Sequence, residues 1–292
     1  MNNDTTPIIF GEVLFDCFPD GAQVLGGAPF NVAWHLQALG LSPLMVSRVG
    51  CDELGTQIEN AMQSWGLTLK GLQKDTDHPT GQVTVNFHKG EPNYNIVPKR
   101  AYDFIDAKLL PDGEKNGLLY HGTLALRHEK SSQALTALKQ TVSDTVLLDV
   151  NLRSPWWNKE QVLSWMQEAD WVKLNDQELQ LLGLNYGKSL QQSAEENIEE
   201  FQLSGIVITQ GKKGALAMNS AGTSKSVTPR PAKYVVDTVG AGDAFTAVVV
   251  AGIIQRWTLD DTLEKAQQLA SAIVGIRGAL PYDRQFYKDI FG

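Results

Sequence analysis

At 292 residues, with 42% hydrophobic and 20% charged residues and a formal net charge of -8, the chain can bury a substantial core but lacks the concentrated basic surface that nucleic acid requires. Cys17 and Cys51 form neither a CxxC pair nor a Cys/His cluster, which excludes a disulfide framework and a zinc site and fits a reducing compartment. Met1 to Thr6 has none of the features of a signal peptide, and the longest apolar run, Ala244 to Ile254, is too short to span a bilayer, so a cytoplasmic protein with no membrane partner is expected.

Ile8 to Phe15 has no helical period and is ended by Asp16 and the Pro19-Asp20-Gly21 turn, which predicts a first strand. Gly26 and Gly27 then lead through Pro29 and Asn31 into an apolar stripe closed by Gly40, which predicts a helix from about Pro29. The glycine pair serves either a tight turn or close approach of backbone to a ligand. Leu44 to Val49 reads as a strand, and Asp52 to Trp65 as a helix capped by Asp52 and stopped by Gly66. Between Thr80 and Pro98 the βαβ rhythm breaks. Val83, Val85 and Phe87 alternate with polar residues, a turn follows at 88–92, and Tyr94 and Ile96 resume the alternation. This predicts an antiparallel hairpin outside the main sheet, usable as a lid over a site or as a surface that pairs two subunits.

The rhythm returns with a strand at Leu118 to His121, a helix at Ser131 to Gln140 and a strand at Val146 to Val150. Asp149, Asn151 and Arg153 alternate, which aims all three to one side at a strand end, where open α/β sheets bind ligands. Arg153 there suits a phosphate or sugar contact, or a structural salt bridge. Asp170 to Leu174 is a brief strand, and Asn175 and Glu178 open the next helix at the spacing of a capping box. Ser189 to Phe201 is a polar-faced helix. Ile206 to Thr209 is a strand, from which Gly211 and Gly214 turn into Ala215 to Met218, as a hairpin or as a nucleotide border. Tyr234 to Val236 reads as the end of a strand, and Leu259 to Arg277 as the final helix, stopped by Gly278. His35 and His121 are expected at the edge of the core.

The stretch Asp237-Thr238-Val239-Gly240-Ala241-Gly242-Asp243 passes directly into an apolar helix, Ala244 to Trp257. Gly240 and Gly242 leave the first-turn N–H groups uncovered, and with the helix dipole these can hold an anion. Asp243 is then either a general base beside that anion or a helix cap worth about 1 kcal/mol. The dipole alone lowers its pKa and makes it a weak base. Neither a P-loop nor a dinucleotide fingerprint occurs.

The segments Gly26-Gly27-Ala28-Pro29-Phe30-Asn31-Val32-Ala33 and Asp237 to Asp243 together resemble the paired signatures of the ribokinase-like (PfkB) carbohydrate kinases. Asn175-x-x-Glu178 and Thr209-x-Gly211-x-x-Gly214 match two further motifs in that family's order, so the resemblance covers nearly the whole chain. Within the family, Gly26-Gly27-Ala28-Pro29 and Asp149-x-Asn151-x-Arg153 followed by Trp156-Trp157 look most like fructokinases. The resemblance implies an α/β fold, a three-layer α/β/α sandwich with a small antiparallel β lid, as one domain over 1–292 whose lid comes from about 12–25 and 80–98. It implies a kinase that transfers the γ-phosphoryl group of ATP to a sugar hydroxyl. Asp16, Gly26, Gly27 and Asn31 would face the sugar, with Arg153 beside them. Asp243 would be the base, and Gly240, Ala241 and Gly242 the anion hole. Asn175 and Glu178 would organise Mg2+ through water, and Asn175, Thr209, Gly211 and Gly214 would border ATP. Several relatives hold K+ near the anion-hole turn, where Ala279-Leu280-Pro281-Tyr282 departs from the ribokinase pattern. A kinase for ribose or 2-keto-3-deoxygluconate, a catalytically silent sugar-binding regulator and a scaffold built on the hairpin are the alternatives.

Overall fold

Successive side chains of a strand point to opposite faces, and the first strand, β1 (Thr6–Phe10), is apolar on both. Ile9 joins a core with Phe30, Trp34 and Met45, while Ile8 and Phe10 join another with Leu135 and Leu138. Such a strand needs a helical layer on each side. In the computed structural model, which describes residues 5–88, 91–111, 117–141, 145–185, 189–229 and 235–292 (backbone alone for 87, 88 and 91–93), both layers are present.

In chain order β1 is followed by β2 (Leu14–Cys17), β3 (Gln23–Gly26), α1 (Ala28–Ala38), β4 (Leu44–Gly50), α2 (Glu53–Trp65), β5 (Leu72–Asp75), β6 (Gly81–His88) and β7 (Glu91–Ile96). Then come β8 (Gly117–His121), α3 (Glu129–Thr141), β9 (Thr145–Asp149), α4 (Lys159–Gln167), β10 (Trp171–Asn175), α5 (Asp176–Leu181) and α6 (Leu190–Phe201). The chain continues with β11 (Gly205–Thr209), β12 (Ala215–Asn219), β13 (Ser224–Val227), α7 (Ala241–Gln255), α8 (Leu259–Ile273) and α9 (Gln285–Phe291).

Among the described residues, nine strands form the main sheet in the order β13-β12-β11-β10-β9-β8-β1-β4-β5. Strands from β5 to β11 run parallel, and β12 and β13 add an antiparallel edge. The chain leaves β1 toward β4 and β5, then returns to β8 on the opposite side. That reversal opens a crevice at the carboxyl ends of the strands. The core on one face draws on α1, α2, α7 and α8, and those on the other on α3 to α6. A second sheet, β3-β2-β6-β7, stands apart from the first, with β6 and β7 as its antiparallel hairpin. Arg127 fixes the root of that hairpin: its Nη2 donates to Val97 O at 2.9 Å while its Nε pairs with Asp103 at 2.7 Å. No described helix is long and apolar enough to cross a membrane.

Local rules set most boundaries. Asp52 caps α2 by accepting from Gly55 N at 2.8 Å, also holds Thr80 N at 2.8 Å, and the helix ends on left-handed Gly66. Four expectations are corrected. The stretch Ile8 to Phe15 is two strands in two sheets, broken at Gly11 (φ 151), whose Cα faces the Pro29 ring so closely that no side chain fits. Val235 and Val236 form no strand; they are 68% and 57% exposed, with Val236 N bonded to Val274 O (Tyr234 lies outside the described residues). The helix from Leu259 ends at Ile273 rather than Arg277, because the chain tightens into turns at Gly275 and Ile276. It is also not the last helix. The seven-residue α9 follows, too short to show a period, and seats Tyr287 against His35 at 2.7 Å. His35 and His121 are fully buried rather than at the core edge, and burial pushes both pKa values down to about 3, so both are neutral.

Candidate active site

The crevice meets the N-terminus of α7. Gly240 is the N-cap at φ 79, and a Cβ there would lie 2.6 Å from Ala279 Cα, so this turn accepts only glycine. Asp237 clamps the same turn, accepting from Val239 N at 3.0 Å and from Gly278 N at 3.1 Å. The first intrahelical bond closes from Ala244 N to Gly240 O at 2.9 Å, which leaves the N–H groups of Gly242 and Asp243 without an acceptor among the described residues. Ala241 N already donates to Thr238 O at 3.5 Å, so the two free N–H groups, with the helix dipole, are those able to receive negative charge.

Asp243 lies at the third helical position, half-buried, and accepts a 2.7 Å hydrogen bond from Asn31 Nδ2. This contact joins segments 212 residues apart. It also fixes the amide: with Nδ2 on the carboxylate, Asn31 Oδ1 is left as a buried acceptor without a partner. The expected depression of the Asp243 pKa is overturned. Burial raises it, and the Asn31 bond only partly offsets that, so Asp243 is a stronger base than the helix dipole alone implies. Gly27, at φ 106, caps α1, and a Cβ there would lie 2.7 Å from Glu12 O, so packing against the chain itself already requires glycine. Gly26 precedes it at the end of β3, its missing Cβ 3.9 Å from Asn31 Oδ1.

The expected alternation of Asp149, Asn151 and Arg153 is also corrected. The strand ends at Asp149, and Asn151 turns into the left-handed region at φ 36. Asp149 points into the protein, fully buried, where Lys173 Nζ meets its two oxygens at 3.0 and 3.2 Å and Thr246 Oγ1 donates at 3.1 Å. Arg153 is exposed, yet its charge lowers the pKa of Asp16 and Asp243 and so belongs to the same electrostatic neighbourhood. Burial pushes Asp16, on β2, up to about 6 against that pull. Burial works against the Lys173 ammonium, but Asp149 and Glu178 outweigh it and hold its pKa above the usual range.

Sequence reasoning missed Glu12 and Lys173. Glu12 follows β1, is 3% exposed, has an unpartnered Oε2 and is pushed by burial up to about 7. Because the folded state binds this proton more tightly, the group's contribution to stability is full below 4.5 and is lost as pH rises through about 7. The change is worth about 3 kcal/mol. Glu12→Gln is therefore expected to flatten the fall in unfolding free energy between pH 5 and 8, measured by denaturant titration. Parallel curves for the two proteins would contradict this.

Asn175 and Glu178 form a reciprocal capping box at α5, with Glu178 Oε2 accepting from Asn175 N at 2.8 Å and Oε1 from Leu152 N at 2.8 Å. Both Glu178 oxygens are therefore engaged by backbone, and the described residues hold no group of three His, Cys, Asp or Glu side chains able to bind a metal alone. The pair fits contact with a magnesium ion through water rather than a dedicated metal cage. Thr209 ends β11, Gly211 (φ 54) opens a tight turn with free space beside it, and Gly214 (φ 104) faces Val227, whose carbonyl carbon would lie 2.9 Å from a Cβ. These three make a hairpin at the same sheet edge, and no described hydrogen bond joins them to Asp243.

The sequence matches the pfkB family carbohydrate kinase signature over residues 18–283. The fructokinase of Klebsiella pneumoniae is 29% identical, with 94% of this chain and 95% of that protein covered, and the probable fructokinase-5 of Arabidopsis thaliana is 29% identical with 94% of each covered. The crystal structure of Vibrio cholerae O395 fructokinase, in its fructose, ADP and calcium ion bound form, superposes with a TM-score of 0.81 at 25% identity over 99% of this chain and 100% of that one. The orphaned amides, the Asn31–Asp243 contact and the crevice thus occur in a ribokinase-like fold, and the chain belongs to the pfkB family of carbohydrate kinases.

Proposed function

We propose that this carbohydrate kinase is an ATP-dependent fructokinase. The observation that supports the reading is the 2.7 Å contact between Asn31 and Asp243, in which a buried amide with a free acceptor oxygen and a carboxylate of raised pKa lie beside unpaired helix N–H groups. The relatives named fructokinase support fructose as the acceptor.

In this reading Asn31 Oδ1, Asp16, the Gly26-Gly27 backbone and Arg153 hold the sugar. Asp243 takes the proton of the attacking hydroxyl, and the N–H groups of the Gly240-Ala241-Gly242 turn, with the unpaired amides of Gly242 and Asp243 foremost, receive charge on the transferred phosphoryl group. Thr209, Gly211 and Gly214 border ATP, and Asn175 and Glu178 position the water shell of its magnesium, which neutralises phosphate charge when bound. Phosphoryl transfer passes through a loose transition state, so positioning contributes more than proton removal. The small sheet is the lid. Tyr94 on β7 lies within the field of both Asp16 and Asp237, so β7 reaches toward the turn that Asp237 clamps. The edges of that sheet, β3 and β7, are the surface on which two subunits would pair. The free cysteines fit a cytoplasmic enzyme.

ADP release from MgATP with fructose, ribose, 2-keto-3-deoxygluconate, glucose and adenosine tests the substrate. Fructose is expected to give the highest kcat/KM by at least about tenfold, a preference of about 1.4 kcal/mol. Preference for another member would replace the substrate, and sugar binding without turnover would favour a regulator.

A further inference from the structure

A buried cation stands beside the helix N-terminus that receives the phosphoryl group, and the roles given so far do not use it. Lys173, on β10, has only 9% of its side chain exposed. Two of its three N–H bonds are taken by Asp149, at 3.0 and 3.2 Å, and no further acceptor is present among the described residues. Its Nζ lies 3.9 Å from where a Cβ on Gly242 would sit, so the ammonium lies against the second residue of the anion-binding turn. The absence of a side chain at Gly242 leaves that approach open.

The ion pair is locked to the same helix. Thr246 Oγ1, one turn beyond Gly242 on α7, lies 3.1 Å from Asp149 Oδ2 and 2.9 Å from Gly242 O. Its single proton serves one of the two at a time. Asp149 is fully buried, so burying this pair costs desolvation that an apolar pair of similar size would avoid. A charge kept at that cost, with an unused N–H beside a phosphate site, has the character of a preorganised donor.

Resting on the kinase reading above, we propose that Lys173 is a further catalytic residue: its free N–H contacts an oxygen of the phosphoryl group in transfer, and Asp149 and Thr246 are positioning residues that aim it. In the step, the sugar oxygen forms the new O–P bond and its proton goes to Asp243. The bond from the γ-phosphorus to the β–γ bridging oxygen breaks, and ADP leaves with that electron pair. Lys173 neither gains nor loses a proton. It adds positive charge where the three equatorial oxygens carry their negative charge.

The test compares the wild type with Lys173→Met and with the double variant Lys173→Met/Asp149→Asn, which removes both buried charges. The single variant leaves Asp149 unpaired and is expected to lower thermal stability; the double variant is expected to recover it. A purely structural ion pair would recover turnover as well. The proposal expects the double variant to bind fructose within about threefold of wild type while kcat stays down by about 10²- to 10³-fold, the usual loss for one transition-state donor. It also expects MgATP binding to weaken more than MgADP binding, since the contact is to the γ-phosphoryl group. A double variant with kcat within about threefold of wild type overturns the assignment. If that variant does not fold, the Nζ resonance of wild type labelled with [15N]lysine decides. It should shift when beryllium fluoride is added to the MgADP and fructose complex, and no shift at that step overturns the proposal. Wild type that leaves ATP intact with every sugar tested defeats the kinase reading itself, a different outcome from active wild type and an active double variant.

Discussion

Asp243→Asn is expected to lower kcat by about 10³-fold, within the range for loss of a general base, while fructose binding changes by less than about threefold. The split follows from the geometry. An asparagine fills the same volume at the helix N-terminus and can still meet Asn31 at 2.7 Å, so the turn and the sugar-facing amide are kept. It cannot accept the hydroxyl proton. Calorimetric titration with fructose beside steady-state kinetics reads both quantities. A variant with near-wild-type kcat would remove Asp243 from the chemistry. A variant that loses kcat and sugar affinity together would make it a binding residue.

The second large effect is expected from Asn31→Asp. Two carboxylates at 2.7 Å cannot both ionise, so they share a proton, and the Asp243 pKa, already raised by burial, rises further. A base works only when ionised. Activity therefore falls as pH drops through its pKa, and in the wild type this acid limb should lie above the usual range of a free aspartate. In Asn31→Asp the limb should move to higher pH, with about a 10²-fold loss of kcat near neutrality and partial recovery in alkaline solution. A profile with the wild-type acid limb would show that the two side chains are not coupled during turnover.

What could be read from the sequence was what local chemistry decides. Asp52, Gly66 and the Gly26 to Asn31 approach to α1 follow capping and turn rules that need no knowledge of the rest of the chain. The hairpin of β6 and β7 was legible from alternation alone. The short α9 and the early end of α8 were missed for local reasons, whereas the misses at the site depend on contacts made at a distance. Gly11 looks like one weak residue in a strand; only the Pro29 ring facing it explains why the chain changes sheets there. Lys173 sits in Trp171-Val172-Lys173-Leu174 as an unremarkable strand lysine, and its partner Asp149 comes from a neighbouring strand 24 residues earlier. The helix dipole at Asp243 is visible in sequence, whereas the burial that outweighs it depends on what packs around the turn. Glu12 was hidden for the same reason, as a polar interruption whose burial follows from tertiary packing.

The most direct measurement is phosphorus NMR of the wild-type protein with MgATP and fructose. The account predicts a sugar phosphate monoester resonance that grows as the γ-phosphate resonance of ATP falls, with no inorganic phosphate in step, and its absence in Asp243→Asn. Inorganic phosphate in place of the ester, or ATP left intact with fructose and every other sugar tested, would contradict it.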